Sequence, residues 1–305
     1  MIAKILAATD FSTPGDEAAR QAEDLALRLG AELVLLHITT PPDPPTSTSL
    51  SSDAAAKVSS LLEEIHAEAE QKLEALAKEL GASGVTVTQR VEIDHPDVAI
   101  PRVAADLGAD LAVVGTQGRT AVQRFLMGST AERVTRLSEV PVLVARPPPR
   151  EGRTFRRVLV PVDFSDASER AIVLAAALAA PDATLDLFHA GQSPFTVVGL
   201  RGAASTARVQ VQEELQAEVH TRLENLCVKH QRGEQTLRAT YAQGSATPRI
   251  LEHLESGDPY DLVALGSHGE RGFRRRVLGS VAERIARHAP CSVLIARATS
   301  EVEGA

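Results

Sequence analysis

Two segments of the sequence share one spacing of glycines: Gly, two residues, Gly, nine residues, then Gly-Ser. The first runs from Gly115 to Ser129 and the second from Gly266 to Ser280. Glycine after a strand permits positive φ and lets a ligand approach the backbone with no Cβ in the way. The Gly-Ser pair opens a helical pattern, whose unpaired N–H groups and positive dipole end favour an anion. The spacing therefore predicts a phosphate-binding loop in each segment.

Other interpretations of these segments stay open. The hydroxyls of Ser129, Thr130 and Ser280 can donate to an anion, but Ser129 and Ser280 can also simply cap their helices. Arg119 and Arg271 bring positive charge to the loops, or else form a solvated face. Neither segment is a Walker loop or a GxGxxG motif, because both lack the required lysine or glycine spacing.

An aspartate follows the first strand of each segment's domain. In an open α/β sheet, ligands bind beyond the carboxyl ends of the strands where the strand order reverses. If strand 4 lies beside strand 1, Asp10 and Gly115 face each other across that crevice, and Asp163 occupies the matching place. Helix capping is the alternative role, but Thr13 and Asp166 are better placed to cap. We therefore predict ligand contacts for both aspartates.

Other reactive side chains are predicted to be structural. His37 and His189 close the second strands without metal-ligand partners in sequence, and Cys227 and Cys291 lack CxxC or Cys/His spacing. The sequence contains no GxSxG elbow, no HExxH motif and no clear pair of carboxylates. No catalytic or metal-ligating residue is predicted.

The elements that position these residues occur twice in the chain. VLVPVDFSD repeats the apolar run and Asp-Phe-Ser of ILAATDFST, and LVALGSHGERGFRRRVLGSVAERI repeats LAVVGTQGRTAVQRFLMGSTAERV. Asp10 and Asp163 are 153 positions apart, and Gly115 and Gly266 are 151 apart. This steady offset predicts two duplicated domains, 1–147 and 155–299, joined by a Pro-rich linker at 148–154 and followed by a tail at 300–305.

Within each copy, short apolar runs alternate with helical patterns. In the first copy the predicted strands cover 2–8, 31–38, 84–92, 109–115 and 140–146, and the predicted helices lie near 14–29, 53–81, 96–107 and 129–138. This alternation predicts an α/β fold with a doubly wound parallel five-stranded sheet in each copy. Near-continuous apolar strands such as LAVVG fit a sheet covered on both faces.

Composition limits the partners of the protein. The net charge of −8 over 305 residues repels a phosphate backbone, and 3% aromatic residues leave little for base stacking, so no nucleic-acid binding is expected. No apolar run approaches the roughly 20 residues of a membrane span, and the first residues read as a buried strand, not as a signal peptide. We therefore predict a cytoplasmic protein without membrane contact.

The glycine spacing, the aspartate after strand 1, the GSxAER helix start and the terminal PVLVAR strand together resemble the universal stress protein family in its tandem two-domain form. The resemblance implies a Rossmann-like sheet ordered 3-2-1-4-5, an ATP-type nucleotide as ligand, with Mg²⁺ as a possible companion ion, and a homodimer formed through the fifth strands. The glycine spacing goes with the family members that bind ATP.

By position, the resemblance also implies the site residues. In the first copy they are Ala8, Thr9, Asp10, Ile38, Gly115, Gly118, Arg119, Gly128, Ser129 and Thr130. In the second copy they are Pro161, Val162, Asp163, Ala190, Gly266, Gly269, Gly279, Ser280 and Val281. Glu270 of the second copy replaces Arg119 of the first, and a carboxylate beside a polyphosphate is repulsive unless a cation intervenes. The prediction for the second copy therefore depends on such a cation, and that for the first copy does not.

Three functions remain open from the sequence. The leading hypothesis is a stress-response regulatory protein whose nucleotide occupancy controls conformation, dimerisation or the binding of an unknown protein partner. A slow ATPase that uses Asp10 or Asp163 is the enzymatic alternative, and the missing base counts against it. A scaffold that has lost nucleotide binding is the third.

Overall fold

The computed structural model describes residues 2–41, 52–116, 127–148, 152–192, 206–268 and 278–297. Gly118, Arg119, Gly269 and Glu270 lie outside the described residues, as does the predicted tail at 300–305. The chain divides into two compact units, Met1–Arg146 and Pro147–Ala305, called unit 1 and unit 2 below. Among the described helices, none is both long enough and apolar enough to cross a bilayer.

Unit 1 is a parallel five-stranded sheet covered by four helices. Its elements are β1 (Lys4–Ala8), α1 (Thr13–Leu29), β2 (Glu32–Thr39), α2 (Ser52–Gly81), β3 (Val87–Ile93), α3 (Pro96–Asp106), β4 (Leu111–Gly115), α4 (Ser129–Leu137) and β5 (Val142–Ala145). The strand order is β3-β2-β1-β4-β5, which confirms the predicted order 3-2-1-4-5. The order reverses between β1 and β4, where a ligand crevice is expected.

Unit 2 repeats this arrangement. Its elements are β6 (Phe155–Pro161), α5 (Asp166–Leu178), β7 (Ala179–Gly191), α6 (Thr206–His230), β8 (Thr236–Gln243), α7 (Ala246–Glu255), β9 (Leu262–Gly266), α8 (Ser280–His288) and β10 (Ser292–Ala296). Parallel pairing of β8 with β7, β7 with β6, β6 with β9 and β9 with β10 gives the same order as in unit 1.

The central strands of each sheet are buried on both faces. Ile5, Leu6, Leu33 and Val113 have no exposed surface in unit 1, and residues on both sides of these strands are apolar. Helix α1 packs on β1 and β4, whereas α3 packs on β2, β4 and α4. Because a β-strand points successive side chains to opposite faces, strands covered on both sides need the continuous apolar runs seen in the sequence.

The caps of α1 and α5 differ from the prediction. Ser12, not Thr13, is the N-cap of α1, and its hydroxyl accepts a hydrogen bond from the Gly15 N–H. Ser165, not Asp166, caps α5 in the same way. The predictions were wrong by one residue because Thr13 and Asp166 already have helical conformation as the first residues of their helices.

Candidate functional site

The cleft of unit 1, called cleft 1, lies where the carboxyl ends of β1 and β4 meet the first turns of α1, α3 and α4, and has a volume of about 210 Å³. Eight predicted site residues line it: Ala8, Thr9, Asp10, Ile38, Gly115, Gly128, Ser129 and Thr130. Pro96 and Ile100 of α3 form an apolar wall that the sequence did not predict. The structure thus brings together every predicted residue of unit 1 that it describes.

The start of α4 forms the polar end of cleft 1. Gly128 is the N-cap residue, and a glycine has no side chain with which to bond the free N–H groups of this helix end. Ser129 is the first helical residue, so the alternative role of Ser129 as a side-chain cap is wrong. The Gly128 N–H donates to the Thr116 carbonyl at 2.6 Å, which holds the start of α4 against the end of β4. A helix N-terminus left uncapped at a cleft is suited to an anion.

Asp10 organises the turn between β1 and α1. Its Oδ1 accepts hydrogen bonds from the Ser12 N–H at 3.1 Å and the Ser12 hydroxyl at 2.5 Å. Nearby, the Thr9 hydroxyl donates to Asp16 Oδ1 at 2.9 Å and accepts from the Phe11 N–H at 3.0 Å. One oxygen of Asp10 therefore supports the helix start while the residue lines cleft 1.

The same turn contains a feature that sequence reasoning missed. Phe11 has a φ of 60°, a left-handed conformation that costs a non-glycine residue roughly 1–2 kcal/mol. Its ring stacks on His37 with centroids 4.3 Å apart. His37 Nδ1 lies 2.9 Å from the Thr9 carbonyl, which only accepts, so Nδ1 carries the proton and donates. The predicted structural role of His37 thus takes the form of a clamp between the ends of β1 and β2.

Gly115 and Gly266 have a packing role that the sequence did not predict. Neither has positive φ. A Cβ on Gly115 would lie 2.7 Å from the Pro14 carbonyl oxygen, and a Cβ on Gly266 would lie 2.8 Å from the Ala167 carbonyl carbon. These positions therefore need glycine because the first turn of α1 or α5 packs against the end of the strand.

Unit 2 contains the matching cleft, called cleft 2, with a volume of about 660 Å³. The predicted residues that line it are Pro161, Val162, Asp163, Ala190, Gly266, Gly279, Ser280 and Val281. Gly279 is the N-cap of α8 without a side-chain hydrogen bond, so Ser280, like Ser129, does not cap its helix. Asp163 Oδ1 accepts from the N–H and hydroxyl of Ser165, as Asp10 does from Ser12.

Phe188 and His268 line cleft 2 in addition to the predicted residues. Phe188 stacks on His253, with ring centroids 4.7 Å apart. His253 Nε2 lies 3.0 Å from the Tyr260 hydroxyl, which donates to Asp186 Oδ2 at 2.7 Å. A buried polar network thus stands directly behind the wall of cleft 2.

This network shifts the titration of its members. Burial raises the pKa of Tyr260 above its usual value, and its hydrogen bond to Asp186 adds to the shift. Burial also lowers the pKa of His253, an effect that Asp186 opposes and Arg157 reinforces. Both groups are therefore held neutral at pH 7. No sequence motif indicates this network, because the partners of Asp186 come from α7 and the segment before β9.

Each unit is thus a doubly wound α/β domain with a cleft at the point where the strand order reverses. The family model described as "Universal stress protein family" matches residues 1–146 and 154–297. The chain belongs to the universal stress protein family, in a form with two tandem domains.

Similar proteins agree with this assignment. A universal stress protein of Mycolicibacterium smegmatis is 29% identical over 308 residues, which cover 96% of each chain. A universal stress protein of Methanocaldococcus jannaschii is 34% identical over 149 residues, 48% of this chain and 84% of that protein. The solved structure of a universal stress protein from Archaeoglobus fulgidus has a TM-score of 0.64 at 21% identity and covers 97% of this chain and 98% of that one, a likeness of fold.

Proposed function

We propose that this stress-response family member is a regulatory protein that binds an ATP-type nucleotide in cleft 1. The carrying observation is the N-terminus of α4, whose N-cap residue Gly128 has no side chain to bond the helix N–H groups and lines the same cleft as Asp10 and the apolar Ile38. Phosphates fit the helix end, because its N–H groups and dipole favour an anion. The base fits the other end, where Ile38, Pro96 and Ile100 supply apolar surface.

The polar residues of cleft 1 favour binding over catalysis. Asp10 is the carboxylate that lines cleft 1, and its Oδ1 already supports the start of α1. Among the described residues, no group of three or more His, Cys, Asp or Glu side chains is arranged to hold a metal ion. We infer that nucleotide occupancy changes the conformation of the segments around the cleft and thereby selects the partner or oligomer that the protein forms. A homodimer and a cytoplasmic location are further predictions.

Cleft 2 is proposed as a second nucleotide site of different selectivity. It keeps the uncapped helix start at Gly279 and the Asp163 turn, but Ala190 stands where cleft 1 has Ile38. We expect weaker binding than in cleft 1, because the smaller side chain offers less apolar contact to a base.

Calorimetry on ligand-free protein tests the proposal. ATP, with and without Mg²⁺, is titrated into the wild type and into Gly128→Arg and Gly279→Arg, whose side chains would fill the helix ends of the two clefts. cAMP joins the panel because one universal stress protein has been crystallised in complex with it.

The expected result is nucleotide binding that Gly128→Arg removes from cleft 1, with the folded content of the variant checked by circular dichroism. Phosphate release is followed in the same samples, and turnover lost in Gly128→Arg would favour the slow ATPase instead. Absence of binding for every nucleotide would contradict both functions and leave the interaction scaffold.

A further inference from the structure

A second cavity in unit 2 lies on the opposite face of the sheet from cleft 2. It has a volume of about 370 Å³ and lies between α6 and the carboxyl ends of β7 and β8; it is called the rear pocket below. Phe188 and Ala190 line cleft 2, whereas His189 and Gly191 line the rear pocket. Because successive residues of a strand point to opposite faces, the two cavities share β7 as a wall and remain separate sites.

The wall of the rear pocket combines flat rings with groups that donate and accept hydrogen bonds. His189 and Tyr241 stand side by side with their ring planes 18° apart and centroids separated by 6.2 Å. His189 Nδ1 donates to the Val162 carbonyl at 2.7 Å, so its Nε2 is an acceptor in the neutral ring. The Tyr241 hydroxyl donates to the Gly191 carbonyl at 3.4 Å, and burial raises the pKa of this tyrosine.

Gly191 keeps the space between these two rings open. A Cβ there would lie 3.3 Å from His189 Nε2 and 3.5 Å from the Tyr241 hydroxyl. The opposite wall, on α6, carries the amides of Gln212 and Gln216 beside the apolar Leu215. Among the described residues of its wall, Arg222 and Glu218 bring one charge of each sign, so these residues supply no excess charge to select an ion.

We propose that the rear pocket binds a neutral, planar heterocycle with donors and acceptors on its edge, of nucleobase or nucleoside size. The Tyr241 and His189 rings and Leu215 contact the flat faces, and the glutamine amides read the edge, since an amide both donates and accepts. The volume of about 370 Å³ lies within the ordinary range of small-molecule sites.

The corresponding positions of unit 1 carry different chemistry. Strand pairing aligns Tyr241 with Val91, because each lies opposite the histidine that ends the second strand of its unit. Arg222 of α6 stands over Phe164, and Lys72 of α2 stands over Phe11. Because these contacts are equivalent, α6 aligns with α2, and Gln212 then corresponds to Leu62. The proposed site therefore belongs to unit 2, and unit 1 supplies the side chains for matched variants.

The test is binding of adenosine, guanosine, cytidine and uridine to the full chain, measured by saturation-transfer NMR and calorimetry. Tyr241→Val and Gln212→Leu install the residues of unit 1 in the rear pocket. Gly128→Arg and Gly279→Arg block clefts 1 and 2. The matched control is Val91→Ala, which changes the aligned position of unit 1.

We expect at least one nucleoside to bind to the wild type, to both cleft variants and to Val91→Ala, and to bind at least tenfold more weakly to Tyr241→Val and Gln212→Leu. Loss in the cleft variants alone would place the nucleoside in the nucleotide clefts, overturning the rear pocket while supporting the proposed function. Absence of binding to the wild type would overturn the rear pocket alone, because ATP binding at the clefts is measured separately. If both rear-pocket variants unfold by circular dichroism, Leu215→Ala with retained fold replaces them and must show the same loss.

Discussion

Units 1 and 2 share a fold but differ in what stands behind the cleft. Where unit 2 joins the buried Asp186 and Tyr260 to the half-buried His253 in one hydrogen-bonded network, the aligned positions of unit 1 are Val34, Ala109 and Val103, all buried and apolar. The turn beside the cleft differs as well.

Thr9 of unit 1 makes two side-chain hydrogen bonds, and Val162 of unit 2 has no hydroxyl to make them. The two copies therefore share the backbone and the helix ends, but at these three core positions unit 2 is polar and unit 1 is apolar. A buried polar group is stable only when its hydrogen-bonding partners are present, so a single member of the network placed in an apolar core would be destabilising.

The largest expected effect comes from moving the carboxylate into the other core. Val34→Asp places a carboxylate among apolar side chains, without the tyrosine that serves Asp186, and should destabilise unit 1 by about 3–5 kcal/mol. Hydrogen exchange of β2 peptides in the full chain measures the loss, with Val34→Thr as the milder control. Protection of β2 within about 1 kcal/mol of the wild type would show that the two cores are not as different as described.

Substitution at the strand ends tests the feature that both units share. Gly115→Ala and Gly266→Ala should each cost about 1–3 kcal/mol, because the new Cβ meets the backbone of α1 or α5. Thermal unfolding provides the measurement. Gly81→Ala in α2, where the nearest atom is 3.8 Å away, is the matched control and should be neutral or stabilising. Unchanged stability in the two strand-end variants would assign these glycines to ligand approach instead.

Exchange of the base-side residues tests the difference between the clefts. Ile38→Ala should weaken nucleotide binding to cleft 1 by about 1 kcal/mol, or roughly fivefold, through lost apolar contact. Ala190→Ile should strengthen binding to the wider cleft 2 by a similar factor. Calorimetry on each variant, with the other cleft blocked at its glycine N-cap, separates the two sites. Stronger binding by Ile38→Ala, or weaker binding by Ala190→Ile, would mean that the base lies elsewhere in the clefts.

The smallest expected effect is a pH dependence of the stability of unit 2. Burial holds the pKa of His253 and of His230 below the unfolded value near 6.5, so the folded state binds fewer protons than the unfolded state. The stability contribution is complete above that value and is lost as pH falls below it. Hydrogen exchange of β7 at pH 7.5 and 5.5 should show this loss, and His253→Val should reduce it. Equal protection of β7 at the two pH values would contradict this prediction.

The sequence predicted most of the fold because periodicity and repetition both constrain it. Helices α2 and α4 begin and end within one residue of their predicted bounds, and the repeat located equivalent strands in both halves. The cap predictions failed at Ser12 and Ser165, since a serine one position earlier makes an equally good cap and only the backbone conformation decides.

The site was predicted less completely. Asp10 and the Gly-Ser helix starts could be found because their chemistry lies in contiguous motifs. Tyr260, His253 and Asp186 come from three separate elements, and nothing in their spacing shows that they meet. The left-handed Phe11 was equally hidden, because an aromatic residue gives no local signal for positive φ.

The packing of α1 against Gly115 has a consequence for comparing other chains of this fold. A glycine that is required for a helix to dock on a strand is retained by selection for folding, whether or not a ligand is ever bound. A domain that lost nucleotide binding would still keep this glycine, so the first glycine of the motif indicates the fold and not the ligand. Whether a related domain binds a nucleotide must be judged from the helix start at Gly128.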